Sequence, residues 1–256
     1  MLKKIIDFSK FSSVRIGSIC EVEIVDEKSK FSGIMIGGAN NILVSPNPPK
    51  LGILDNKFDF IKFENGILRI GAKTKSAKIY NFTKKHNIKG FEFLAGIPGT
   101  LGGLLIMNAG LCGYNISDNL INLKTNLGVF YKDDIKFEYR KSDIKGIIFE
   151  ANFNAINGFD NEICTNIALK RSNQPKGYSF GSCFKNPPND SAGRLIELAG
   201  LKGYRYGNCG FSEKHANFLI NYGGGSYEEA IHLINLAKKL TYEKFGVLLQ
   251  TEVVVV

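Results

Sequence analysis

The stretch Leu94–Gly110, LAGIPGTLGGLLIMNAG, carries five glycines, one proline and no charged residue, and it constrains the chain more than any other segment. Pro98 fixes φ, while Gly99, Gly102 and Gly103 permit conformations and close approaches that a side chain would block. The spacing predicts a helix from Thr100 to Met107, ended by Asn108-Ala109-Gly110. A glycine-rich turn feeding a helix N-terminus offers N–H groups and the positive end of a dipole to a diphosphate. A tightly packed structural turn has the same composition, and the stretch alone does not separate the two. No G-x-G-x-x-G follows a strand, so the Rossmann fingerprint is absent.

Taken in order, Cys20–Val25 and Gly33–Ile36 read as short strands. Gly37-Gly38-Ala39-Asn40-Asn41 is a second small-residue loop, closed by a strand over Ile42–Val44. Strands return between Ile53 and Ile70, with Asn65-Gly66 as a hairpin turn. Apolar spacing predicts a helix over Lys75–His86. Asn122–Phe130 and Ile135–Tyr139 read as partners, and Ile147–Phe153 as another strand. Sheets with single helices between them indicate an α+β fold.

Composition shifts after Ile156, where the chain becomes loop-rich apart from a helix over Ala192–Ala199 ended by Gly200. Ser226 and Glu229 form a capping box. The box opens a helix with Ala230, Ile231, Leu233, Ile234, Ala237 and Leu240 on one face. VLLQTEVVVV reads as a buried strand. The shift divides the chain into domains over 1–155 and 156–256.

The net charge of +9 is carried by lysines scattered singly and in pairs, with no basic arm. Such a field suits an anionic small substrate better than nucleic acid, and no nucleic-acid partner is expected. The five cysteines lack C-x-x-C spacing, so neither a zinc site nor a disulfide framework is indicated, and reduced thiols fit a cytoplasmic protein. No apolar run reaches the length of a signal peptide or a membrane span, so no membrane insertion is expected.

The residues that bear chemistry each have two readings. Glu252, within an apolar run, either faces water by strand alternation or sits in a setting that alters its pKa. Ser182, in GYSFGSCFKNP, reads as a turn serine rather than a nucleophile, since G-x-S-x-G is not satisfied. Cys183 has only Lys185 nearby to activate it and reads as packing. Arg140, at the end of a strand after Tyr139, forms a surface ion pair or clamps a carboxylate. His86, His215 and His232 lie far apart without ligand spacing, and no metal site is expected.

Together, GIPGTLGG with MNAG, YRKSDIK, GSCFKNP with SAGRLIELAGLKG, SEKHANFLIN and a terminal LQTEV resemble the UDP-N-acetylenolpyruvoylglucosamine reductase (MurB) family. The resemblance runs from about Phe11 to the end. It implies an FAD-binding module of the vanillyl-alcohol-oxidase (PCMH) type in two subdomains, split near residue 71, followed by an α+β substrate-binding domain. It implies FAD, NADPH as co-substrate and UDP-N-acetylglucosamine enolpyruvate as substrate; non-covalent attachment of the FAD and a monomer are expected. Arg140, Ser182 and Glu252 become the catalytic residues, with Ser182 the proton donor. The cofactor would meet Gly37, Gly38, Ala39, Asn40, Asn41, Ile97, Pro98, Gly99, Thr100, Gly102, Gly103, Asn108, Ala109, Gly110 and Tyr139. Lys185, Asn186, Lys214 and Asn217 would meet the UDP-sugar.

This chain departs from the family pattern in two places. Ala39 and Asn40 stand where the family usually has Gly and Ser. The forty-one residues between Arg140 and Ser182 match the shorter form, which lacks a substrate-covering loop. A related flavin oxidase is the nearest alternative; no histidine near Gly37–Val44 offers a covalent flavin link. A non-catalytic UDP-sugar-binding protein is the alternative from another class.

Overall fold

The structure, a computed structural model, describes residues 2–256. The chain forms two compact units. One holds residues up to Lys4, Val22–Gly38 and Leu51–Ser172; the other holds Ile5–Glu21, Ala39–Lys50 and Asn173–Val256.

The first unit is built on a five-stranded antiparallel sheet in the order Gly128–Tyr131, Leu120–Thr125, Ile148–Asn154, Ile67–Gly71, Ile61–Glu64. Its inward residues alternate as a pleat requires. Leu68 and Ile70 pair with Phe153 and Ala151, and all four are buried. Phe58, Phe91, Phe93 and Phe149 complete this core, with Phe58 stacked on Phe149 at 5.0 Å between ring centroids. The Asn65-Gly66 hairpin forms with φ of 51° and 75°, the left-handed pair that a two-residue turn demands. The helix expected over Lys75–His86 spans Ser76–Lys85.

One expected pairing is corrected. Asn122–Phe130 does not lie beside Ile135–Tyr139. The chain turns back within that first segment, pairing Leu120–Thr125 with Gly128–Tyr131, and Thr125 Oγ1 accepts the Leu127 N–H at 3.0 Å. Phe137–Glu138 instead folds onto Lys141–Ser142, leaving Tyr139 and Arg140 as the two residues of a tight turn. A helix over Asn161–Arg171 also went unread, because only Ile167 of its eleven residues is buried and no apolar stripe announces it.

The second unit contains a four-stranded antiparallel sheet, Tyr178–Ser182, Phe218–Asn221, Cys209–Phe211, Arg205–Tyr206. The helix Tyr227–Phe245 buries Ala230, Leu233, Ile234, Ala237 and Thr241, one stripe at helical spacing. Its capping box is formed as expected: Glu229 N–H donates to Ser226 Oγ at 3.2 Å, and Ser226 N–H to Glu229 Oε2 at 3.1 Å. Gly246 ends it with φ of 67°. The closing strand is shorter than expected. Only Val254–Val255 pairs, parallel to Ile42–Leu43, and both valines are exposed.

Candidate functional site

In the first unit the glycine-rich stretch forms a helix over Leu101–Ile106 with Thr100 at its N-cap. The stop comes from Asn108, at φ 38°, rather than from Gly110. Gly110 lies in a short strand, where a Cβ would press on the Tyr114 carbonyl. Two amides of this helix start have internal partners. Leu101 and Gly102 already donate their N–H groups to the carbonyls of Thr74 and Ala72, both at 2.9 Å. A Cβ on Gly102 would stand 3.4 Å from Ala72, so a larger side chain there is directed at a packed neighbour. Gly103 differs: a Cβ there has only Thr100 Oγ1, at 3.8 Å, within reach.

The other small-residue loop comes close to this helix start. A Cβ on Gly37 would collide with the Thr100 hydroxyl, so the approach requires glycine. Along Gly37–Asn40 the N–H groups find no acceptor among the described residues, whereas the Ala39 carbonyl accepts the Ser13 N–H at 3.1 Å. The Asn40 carbonyl accepts from Ser13 Oγ at 3.0 Å, a hydroxyl that also faces the Ser179 carbonyl at 2.8 Å. With the Ala39 and Asn40 carbonyls held by Ser13, the loop's amides are left for an external acceptor, as anion binding by backbone N–H groups requires. Ser13 was not legible as a loop anchor, because its partners lie 27 and 166 residues away.

Ala39 adopts φ of 48°, where a Cβ costs about 1 kcal/mol. Ala39→Gly is therefore expected to raise stability by up to about 1 kcal/mol, read as an increase in the denaturation midpoint. A fall would show that the buried methyl contributes more than the strain costs.

Arg140 occupies the left-handed position of its turn, φ 55°, an uncommon conformation for a long side chain. The turn is fixed from below: Asn108 Nδ2 donates to the Glu138 carbonyl at 3.2 Å, and Ser142 Oγ to the Ile106 carbonyl at 3.0 Å. Ser117 Oγ holds Asn108 Oδ1 at 2.8 Å. Asn108 thus ends the helix and positions the turn carrying Arg140. The guanidinium carbon lies 5.2 Å from the centroid of the exposed Tyr139 ring. Ile97, Pro98 and Gly99 line the approach to Thr100, with Pro98 exposed.

In the second unit Ser182 ends the strand Tyr178–Ser182 after an irregularity in its register, with Gly181 at φ 84°. The hydroxyl of this half-buried serine makes no hydrogen bond within the described residues. The next residues are pinned from two sides. Cys183 N–H donates to the Asn217 carbonyl at 2.7 Å, and Glu252 N–H donates to the Cys183 carbonyl at 2.9 Å. Lys185 N–H donates to the Gln250 carbonyl at 2.9 Å. Glu252, seventy positions after Ser182, is thereby hydrogen-bonded to the residue next to it, and it is half-buried. Asn41 Nδ2 holds the Glu252 carbonyl at 2.9 Å, so the last residue of the small-residue loop reaches the same backbone.

Cys183 is fully buried, which pushes its thiol well above the ordinary range; Cys209 is pushed up to about 12 by burial. Neither is a thiolate, and Cys183 packs as the sequence indicates. Lys185 is half-buried, and Asn186 and Lys214 are exposed. Asn186 Oδ1 accepts the Ala192 N–H at 3.1 Å, at the start of the helix Ala192–Leu198. Asn217 is 3 % exposed, and its carboxamide is occupied by backbone: Phe184 N–H donates to Oδ1 at 2.9 Å, and Nδ2 donates to the Phe184 carbonyl at 2.8 Å. Among the described residues, no three metal-ligating side chains cluster, and no helix is long and apolar enough to cross a membrane.

Comparison with known proteins gives a consistent result. The family model described as UDP-N-acetylenolpyruvoylglucosamine reductase, C-terminal domain, matches residues 173–256. The chain is 52% identical to the UDP-N-acetylenolpyruvoylglucosamine reductase of Campylobacter jejuni strain RM1221, over 98% of this chain and 100% of that protein. It is 44% identical to the enzyme so named in Helicobacter hepaticus, over 99% and 98%. The crystal structure of the Thermus caldophilus UDP-N-acetylenolpyruvylglucosamine reductase superposes with a TM-score of 0.87 at 26% identity, covering 100% of this chain and 99% of that one.

Proposed function

Because the chain belongs to the family of UDP-N-acetylenolpyruvoylglucosamine reductases, we propose that it reduces the enolpyruvyl ether of UDP-N-acetylglucosamine to UDP-N-acetylmuramate, a step in peptidoglycan precursor synthesis, using NADPH and non-covalent FAD. The observation that carries this reading is the Glu252 N–H bond to the Cys183 carbonyl. It sets two candidate catalytic residues, far apart in sequence, on adjoining backbone, with the Ser182 hydroxyl left for a ligand.

The residues fit the flavin diphosphate. Amides along Gly37–Asn40 that have no acceptor among the described residues supply donors, and the open side of Gly103 supplies room. Ile97, Pro98, Gly99 and Thr100 border that room, and Tyr139 offers an aromatic face. At the helix start, Leu101 and Gly102 give their amides to Thr74 and Ala72, so the share proposed for this turn falls to Gly103. The proposed division gives the FAD-binding role to 1–155, in the two-subdomain PCMH arrangement, and the substrate role to 156–256.

When bound, FAD supplies the hydride that arrives at C3 of the enolpyruvyl group. The C2–C3 π pair then resides on C2 and, by conjugation, on the adjacent carboxylate. Ser182 Oγ–H delivers its proton to C2 and is reprotonated from water. Arg140 stabilises the enolate-like charge, its turn fixed by Asn108 and Ser142. Glu252 assists in its protonated form or through water. Lys185, Asn186 and Lys214 hold the diphosphate and sugar. The carboxamide of Asn217 holds Phe184 instead.

The test is optical. Purified protein is expected to be yellow, to release flavin on denaturation, to bleach with NADPH and to recover colour with the enolpyruvyl substrate. A colourless protein that takes up no added FAD yet binds the UDP-sugar would establish the non-catalytic reading instead.

A further inference from the structure

The strand carrying Ser182 loses regular pairing at the point where chemistry is assigned to it. Tyr178 and Ser179 pair with Asn221 and Ile220, the register then slips, and Ser182 stands opposite Phe218. Cys183 and Phe184, just past the end of the strand, are both buried. The Asn217 side chain holds this segment. Its Oδ1 and Nδ2 give Phe184 the acceptor and donor that a neighbouring strand would have supplied, while its own carbonyl takes the Cys183 N–H. Asn217 N–H in turn faces His215 Nδ1 at 3.3 Å.

We propose that Asn217 is a positioning residue for proton delivery: its carboxamide clamp on Phe184 fixes the backbone two residues after Ser182 and so aims the Ser182 hydroxyl. The proposal rests on the assignment of Ser182 as the proton donor. An amide suits the task because it both donates and accepts. A carboxylate cannot, since it would face the Phe184 carbonyl with like partial charge. A protonated carboxyl can. Burial raises the pKa of an acid at this place, so the protonated form becomes available as pH falls.

Asn217→Asp therefore carries a signature that a loss of packing would not produce. In stopped flow at alkaline pH, reoxidation of the NADPH-reduced holoenzyme by the enolpyruvyl substrate is expected to slow by about 10- to 10²-fold, the cost of misplacing a reacting group by an ångström or less. Relative to the native chain at each pH, the rate should recover as pH falls. Asn217→Ala should stay slow throughout. Reduction by NADPH and flavin content should stay near native in both variants.

Independently of activity, exchange of the Phe184 amide hydrogen should quicken in Asn217→Ala and in Asn217→Asp at high pH, and slow relative to the alanine variant at low pH. His215, lowered by burial, and the raised Cys183 thiol are present in all three proteins, and Asn217→Ala, with no titrating group at 217, reads their own contribution to the pH dependence. Glu252, which meets the same backbone, is likewise shared. A flat pH ratio for Asn217→Asp, or equal loss in both half-reactions with loss of flavin, would overturn the proposal. Failure of the underlying reading is separate, since an unaffected Ser182→Ala would remove the proton donor whatever Asn217 does.

Discussion

Ser182→Ala is expected to leave reduction of the holoenzyme by NADPH unchanged and to slow its reoxidation by the enolpyruvyl substrate by at least about 10²-fold, within the 10²–10⁴ typical of general acid catalysis. The two half-reactions separate because only the second places a proton on carbon. The hydroxyl lies where the substitution removes a function and little else. It is half-buried, makes no hydrogen bond among the described residues, and follows a glycine at φ 84°, so the alanine leaves none of their polar groups unsatisfied. Ser182→Cys should restore part of the rate, because a thiol still donates. Cys183→Ser should leave both half-reactions near native, since that thiol is buried and its raised pKa keeps it protonated. Slowing confined to the NADPH step, or no slowing, would return Ser182 to the role of a turn serine.

Gly103→Val is expected to give folded protein with little flavin. Valine is a better helix former than glycine, and a Cβ at this position meets nothing closer than 3.8 Å, so the fold gains no clash. The bulk projects into open space that the proposal assigns to the diphosphate. An overpacking cost of about 1–3 kcal/mol corresponds to about 10- to 10²-fold in affinity. The flavin-to-protein absorbance ratio and the melting temperature together read the result. Gly102→Val is the contrasting variant: its Cβ starts 3.4 Å from Ala72, so it should lower the melting temperature as well. Full flavin occupancy in Gly103→Val would remove this face of the helix from the cofactor site.

Much of this was legible in local signals. Asn65-Gly66, Ser226 with Glu229, and the stripe from Ala230 to Ala237 each depend on residues a few positions apart, and each formed as read. The glycine-rich segment was legible as a helix start, but not that Thr74 and Ala72 would occupy its amides. Those carbonyls become partners only after the sheet has folded. The same holds for Asn217, whose clamp is 33 residues away in sequence, and for Ser13. The resemblance supplied candidate roles; the geometry added an Ala72 contact for Gly102 and a Phe184 clamp for Asn217. The helix Asn161–Arg171 was missed for an opposite reason: it buries too little to carry a pattern.

The pairing of Ile42–Leu43 with Val254–Val255 also bears on the timing of assembly. The amide of Asn41 waits for a carbonyl 211 residues downstream, and Ser45 N–H waits for the carbonyl of Val256. A chain emerging from the ribosome therefore carries the small-residue loop for most of its synthesis without the partners that shape it. At about 5–20 residues per second, that interval lasts on the order of ten seconds or more. The first unit can build its five-stranded sheet in the meantime, since that sheet uses only residues 61–154. Shaping of the loop by these partners is accordingly a late event in synthesis.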